Sequence, residues 1–237
     1  MSYIYLKKQP KKKKIINKKK NLAFLLAVCG LLFFSSAIFP IIKFQLGYAL
    51  KFKQMINPLS SQSYRQNGNI LGEMTTDYTQ LSNWFESDSS SNKPVLFDGE
   101  HTTYTISIPK LKVKEAVVTV GSMDLEKSLI QYPQTALPGQ LGNAVVFGHS
   151  VLPQFFNPKS YLTIFSTLYK LEEGDEIYVK YGSIEYKYVI NKMFEVKPTD
   201  LSVLDQRFDQ RSLTLITCSP PGTYLRRLVI QSVLVEN

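Results

Sequence analysis

A long run of apolar residues without charge stands near the start of the chain. No charged side chain occurs between residues 22 and 42, where Leu, Phe, Ala and Ile dominate. At a helical rise of about 1.5 Å per residue, this run is long enough to cross a hydrocarbon core of about 30 Å. The pattern predicts a transmembrane helix over residues 21–43, and residues 43–56 look like its continuation.

Two other interpretations of this apolar run stay open. One is a cleaved signal peptide, because Ser35, Ser36 and Ala37 are small residues near the centre of the run. The run is long for such a signal, and no convincing small-x-small cleavage site is present. The other is a buried core helix, which fits poorly with the many lysines beside it.

Those lysines carry the whole net charge of the chain. Residues 7–20 contain nine lysines and no acidic residue, so the charge of this segment equals the formal net charge of +9 of the whole chain. The remainder is formally neutral, so a chain-wide affinity for nucleic acid is not implied. By the positive-inside rule, residues 1–20 form a cytoplasmic tail, and everything after the apolar run lies outside the cell. This predicts a single-pass protein of the cell membrane with a cytoplasmic N-terminus.

The composition changes again over residues 44–101. Serine, Asn, Gln and Gly are frequent between residues 57 and 100. We interpret residues 44–101 as a stalk or loosely ordered linker, with a short helix around residues 77–85.

From residue 102 onward the apolar positions form many short runs, several of them alternating or rich in β-branched residues. Turn signals such as Pro138-Gly139 and Gly174-Asp175 separate these runs. Residues 161–171 could be a short helix or a loop. Because no long helices alternate with the strands, residues 102–237 are predicted to form an all-β barrel or sandwich. The predicted strands cover residues 104–108, 113–120, 143–147, 176–181, 185–191, 212–217 and 228–235.

Two residues at predicted strand ends carry candidate chemistry. Cys29 lies in the apolar run, so Cys218 is the only cysteine of the part predicted to be exported, and no disulfide can form within that part. A thiol attacks as its thiolate, for which it needs a basic or cationic neighbour. His149 follows the strand at 143–147 and is the obvious candidate. A packed, inert cysteine is the alternative.

Arg226 and Arg227 open the last predicted strand, where a guanidinium could stabilise an oxyanion or hold a substrate carbonyl. Neighbouring strand residues point to opposite faces, so only one of them can face Cys218. We favour Arg227, which directly precedes the apolar run; a solvated strand edge is the alternative. Thr217 and Ser150 flank the two candidates and could contact substrate, or serve only in packing and a turn.

The sequence does not indicate a metal site or a nucleotide-binding site. Two histidines and one exported thiol do not supply the three or four ligands of a metal site. Glycine loops of the phosphate-binding type are absent. We therefore expect no metal and no cofactor.

The residues around these candidates resemble those of a known family. The sequence TLITC at 214–218, followed by RLVI at 227–230, resembles the signature of sortases, which read TLxTC and then Arg before an apolar strand. Residues 132–150 resemble the segment around the sortase histidine, and residues 106–111 an early barrel strand. The resemblance covers residues 103–235, and an N-terminal anchor also fits the family.

This resemblance implies a closed β-barrel of about eight strands with short helices, and thiol transpeptidation. Cys218 would form a thioester with a sorting motif such as LPxTG, cleaved between Thr and Gly. His149 would act as acid and then as base, and Arg227 would hold the substrate backbone or the oxyanion. The implied partners are secreted proteins that bear the motif, an amine on a peptidoglycan precursor or a pilin lysine, and the membrane; no nucleic acid is expected.

Several alternatives remain beside this expectation. A cysteine endopeptidase would use water as the acceptor, and a catalytically inactive membrane-tethered β-barrel would serve as a binding module. The short loop at Pro220-Pro221-Gly222 differs from the longer loop of the housekeeping sortases, so we expect no calcium site. The subclass stays open.

Overall fold

The computed structural model describes residues 18–52, 80–81, 84 and 102–235. The chain divides into two compact units, with the boundary between Gly47 and Tyr48. One helix, α1 (Lys18–Phe52), runs without interruption through Pro40. Its span Leu22–Phe52 has a mean hydropathy of 2.5, and none of its most apolar window is buried, unlike a core helix. The helix is consistent with a membrane anchor, while the limits of the spanning segment remain a prediction.

The β domain is a closed barrel of eight strands, as expected, and not a sandwich. Around the barrel the order is β1-β2-β3-β4-β7-β8-β6-β5. The strands are β1 (Thr103–Ile108), β2 (Val113–Val120), β3 (Leu129–Gln131), β4 (Gly142–Phe147), β5 (Glu176–Tyr181), β6 (Ile184–Val196), β7 (Arg211–Ser219) and β8 (Arg226–Leu234).

Seven of these strands coincide with predicted ones, with small differences at their ends. The exception is β3, whose three residues are too few to produce a recognisable alternation. Strand β6 continues to Val196, five residues past its predicted end. Residues 161–171 contain turns and one 3₁₀ turn, Leu168–Lys170, so the loop alternative is correct. The predicted stalk and short helix lie largely outside the described residues.

Strands β4 and β7 are neighbours and run in the same direction. Their register pairs Asn143 with Ser212 and Phe147 with Ile216. Because parallel strands end at the same edge of a sheet, the residues that follow β4 lie beside the end of β7. The barrel therefore brings residue 149 next to residue 218, although 69 positions separate them in the chain.

Both faces of β7 are buried, from Ser212 to Ser219. On one face, Ile216 and Cys218 belong to an apolar cluster that includes Leu81, Trp84 and Val203. Those three residues come from connections outside the strands, so this face is the outer surface of the barrel. We call this surface, where β6, β8, β7 and β4 lie side by side, the outer groove.

Candidate active site

Cys218 and Arg227 face each other across β7 and β8. Their Cα atoms are direct partners in the antiparallel register, so both side chains project into the outer groove. Each residue is only 1% exposed. Arg226 pairs with Ser219 instead and projects to the opposite face, where its Nη1 lies 3.4 Å from Oε2 of Glu195. Of the two arginines, the structure brings only Arg227 to the thiol.

The guanidinium of Arg227 is held by backbone carbonyls rather than by acids. Nη1 donates to the carbonyls of Tyr224 and Arg226 at 3.1 and 3.2 Å, and Nη2 donates to the carbonyl of Trp84 at 2.6 Å. Among the described residues, no acceptor lies within hydrogen-bond distance of its buried Nε. This N–H is available for a carbonyl oxygen or an oxyanion bound beside Cys218.

His149 is positioned by the residues on both sides of it. The amide of Gly148 donates to the carbonyl of Ile216 at 3.2 Å, and Thr217 Oγ1 donates to the carbonyl of Gly148 at 2.7 Å. On the other side, Ser150 Oγ donates to the carbonyl of Cys218 at 2.8 Å. These bonds fasten the backbone around His149 to the end of β7, next to the thiol.

Gly148, the residue before His149, allows close packing at this point. A Cβ at this position would lie 2.5 Å from the ring of Phe165 and 2.6 Å from a methyl group of Leu129. A larger residue would force Phe165, Leu129 or the segment that carries His149 to shift. The hydroxyls of Thr217 and Ser150 both donate the hydrogen bonds to backbone carbonyls described above. A contact of either residue with substrate remains a prediction.

Trp84 is a site residue that the sequence did not indicate. Its side chain is fully buried, with its ring centroid 5.6 Å from that of Phe147 and 5.9 Å from that of His149. The guanidinium carbon of Arg227 lies 5.2 Å from the indole. Trp84 and Leu81 thus cover the outer groove at the three candidate catalytic residues. The signal in the sequence was an isolated tryptophan, the only one in the chain, within a serine-rich stretch.

All three candidate residues lie in a segment that matches a known protein family. The protein-family model of the sortase domain matches residues 106–235 of the sequence. This match covers more than half of the chain and includes all three candidate residues. The chain belongs to the sortase family. Sortases are cysteine transpeptidases, so a transpeptidase-type function is the general assignment for this β-barrel.

Individual sortases agree in sequence and in fold. Sortase A of Staphylococcus aureus is 33% identical over 128 residues, which cover 47% of this chain and 58% of that protein. Sortase A of Bacillus anthracis is 25% identical over 181 residues, 72% of this chain and 81% of that protein. The structure of sortase A from Corynebacterium diphtheriae superposes with a TM-score of 0.54 at 26% identity, covering 68% of this chain and 78% of that one. A lid mutant of sortase A from that organism gives a TM-score of 0.51 at 28% identity, covering 59% and 74%.

The thiol of this sortase is strongly biased towards its protonated form. Burial raises the pKa of Cys218 to about 11, and the positive charge of Arg227 offsets only part of that effect. At pH 8 about one thiol in a thousand would then be a thiolate. Burial of the sulfur is the physical cause, so the thiolate population depends on what covers the outer groove.

The described part of this sortase contains no group of three or more His, Cys, Asp or Glu side chains arranged to hold a metal ion. The expectation that the protein needs no metal or cofactor stays a prediction.

Proposed function

We propose that this sortase cleaves an LPxTG-like sorting motif through a thioester on Cys218 and transfers the acyl part to an amine. The sulfur attacks the threonine carbonyl carbon, and the Thr–Gly C–N bond breaks as the leaving amine takes a proton from the His149 imidazolium. An incoming amine then attacks the thioester and gives a proton to His149, which releases the thiolate. The acceptor would be a peptidoglycan precursor or a pilin lysine.

The observation that carries this proposal is the pairing of Cys218 with Arg227. Attack on the carbonyl places negative charge on its oxygen, and the buried Nε–H of Arg227 lies on the same face with no acceptor among the described residues. A preorganised donor of this kind typically contributes about 100-fold to 1000-fold to the rate. The backbone bonds around His149 support its role as the proton carrier, because they hold it beside the end of β7.

We further propose that α1 anchors the enzyme and that residues 1–20 lie in the cytoplasm. The apolar span Leu22–Phe52 supports the anchor, and the nine preceding lysines support the orientation. The β-barrel would then work outside the cell, where secreted substrates and the cell wall are found. Protease digestion of intact spheroplasts tests the orientation: the barrel should be degraded, and survival of the barrel would refute it.

A model peptide with and without an added amine tests the reaction. We expect the full chain to cleave a fluorescent LPxTG-type peptide and to form the amide of added triglycine, with a thioester adduct on Cys218 detected by mass spectrometry. Cleavage by water alone, even at high amine concentration, would assign a cysteine endopeptidase. An intact peptide together with an unreactive Cys218 would assign a binding module.

The roles of the site residues are tested in the same assay. His149→Ala should lower both cleavage and amide formation by at least 100-fold, because the leaving amine loses its proton donor. Cys218→Ser keeps a hydroxyl at the same place and should form no thioester. If His149→Ala retains full activity with both steps intact, another group carries the proton.

A further inference from the structure

The outer groove continues past the apolar part at the candidate active site. Side chains on one face of a strand recur every two residues, so the groove is built from rows of paired residues. The row of Cys218 is followed by that of Ile216, which pairs with Phe147 and Val229. Next comes Thr214, paired with Gln231, and then Ser212, paired with Asn143. The groove therefore changes from apolar to polar with distance from the thiol.

A cavity of about 290 Å³ lies at this polar end. Its walls include Thr214, Ser212 and Gln231 from the sheet, and Asp205 and Arg207 from the connection between β6 and β7. Phe194 and Val203 line the cavity and also belong to the apolar cluster around Cys218, so the two parts form one continuous groove. Trp84 and Leu81 cover only the apolar part.

The length of the groove determines which part of a substrate reaches the cavity. An extended peptide and the strands beneath it both advance about 3.3 Å per residue, so Thr214 lies about 13 Å and Ser212 about 20 Å from Cys218. With the scissile carbonyl at Cys218, the four residues Leu-Pro-x-Thr of the motif occupy the first 10 Å or so. In a peptide whose N-terminal part runs along β7 towards Ser212, the fifth to seventh residues before the scissile bond then lie over the cavity.

The charges at the cavity define what those residues should be. Lys192 and Arg207 contribute two cations and Asp205 one carboxylate, and Arg207 also lies 3.8 Å from the carboxylate of Asp209. The ammonium of Lys192 is fixed 5.0 Å from the ring centroid of Phe194, at the junction of the apolar and polar parts. The remaining lining is dominated by amides and hydroxyls, which can bond to a polar side chain, while Phe194, Val203 and Val233 form its apolar part.

We propose that this cavity is a subsite for the one to three residues that precede the sorting motif, and that it selects a polar and preferably acidic side chain there. The inference rests on the proposed function, because the sorting motif fixes the distance from Cys218. It adds a second recognition element to the enzyme, separate from the motif itself. Since the contact lies far from the reacting atoms, it should affect substrate binding and not the chemical step.

The test uses peptides that share one motif and differ only at the second residue before its leucine. We expect the full chain to prefer Glu over Gln and Gln over Lys, with about a threefold to tenfold range in kcat/KM that arises in KM and shrinks at high salt. Lys192→Glu should reverse the order. Lys180→Glu, an exposed lysine on β5, is the matched control and should leave the order unchanged. Moving the variable residue five positions further upstream should abolish the preference.

Binding of the same peptides to the Cys218→Ala chain, measured by fluorescence anisotropy, separates this proposal from the proposed function. Cleavage without any preference at the variable residue would refute the subsite and leave the enzyme assignment intact. A Glu-over-Lys preference in binding that Lys192→Glu reverses would support the subsite even if the wild-type chain cleaved nothing. An order unaffected by Lys192→Glu would refute it.

Discussion

Replacing Trp84 with alanine should make the thiol of Cys218 much more reactive. The pKa of this thiol is raised from 9.0 to about 11, chiefly by burial. Two pKa units correspond to about 2.7 kcal/mol that favours the protonated form. Trp84 is fully buried in the cluster that surrounds the sulfur. Without the indole, water reaches the thiol and the pKa moves back towards its ordinary value.

The size of the effect follows from two opposing terms. At pH 8 a fall in pKa from about 11 to 9.0 would raise the thiolate fraction about 100-fold. A less basic thiolate is also less nucleophilic. With a Brønsted coefficient of about 0.45, a fall of two pKa units lowers the intrinsic reactivity of the thiolate roughly eightfold. The first term is larger, so alkylation of Cys218 should be about tenfold faster in Trp84→Ala. Easier access of the reagent adds to this value.

Alkylation by iodoacetamide between pH 7 and 11 measures both the rate and its pH midpoint. Peptide mapping by mass spectrometry distinguishes Cys218 from Cys29. Trp84→Phe keeps a ring in the cluster and should give an intermediate rate. Ile184→Ala truncates an exposed side chain at the first residue of β6 and should behave as wild type. An unchanged rate and midpoint in a folded Trp84→Ala chain would show that Trp84 does not keep the thiol protonated.

Three further substitutions test the site and its support. Arg227→Ala should lower kcat/KM for a sorting peptide by about 100-fold or more, whereas Arg226→Ala should cost less than about threefold; the reverse order would refute the choice of arginine. Cys218→Ala should abolish the thioester seen by mass spectrometry and lower the free energy of unfolding by only about 1 kcal/mol, so a failure to fold would contradict it. Glu195→Ala removes the buried carboxylate that accepts the Ser219 hydroxyl and pairs with Arg226. The substitution should lower the free energy of unfolding, measured in urea, by about 1–3 kcal/mol. An unchanged value would show that this contact is not stabilising.

The sequence predicted the barrel well because most of its strands are long, alternating or β-branched, and bounded by turn residues. Strand β3 was not predicted, because three residues are too few to show a periodic pattern and its pairing partners lie elsewhere in the chain. The boundary of β6 was missed because its last residues are buried on both faces, so no alternation marks them.

The motif pointed to the thiol and imidazole, but it could not describe the groove around them. Strand β7 is buried on both faces, so its sequence does not tell which apolar residues line the barrel interior and which line the outer groove. The role of Trp84 in the site was not predicted for another reason. A single aromatic residue in a polar stretch gives no pattern, and its contacts with His149 and Arg227 exist only in the folded chain.

The place of β8 as the last strand of the barrel also governs when the thiol site is assembled during synthesis. Strand β8 follows every other strand along the chain and closes the barrel between β7 and β6. Until β8 has been made, the nucleophile lacks its arginine partner, and one edge of β7 is unpaired. The pairing of β4 with β7 also forms slowly, because the long connection between Phe147 and Arg211 must close first. A nascent chain therefore carries an incomplete thiol site until β8 has paired with β7.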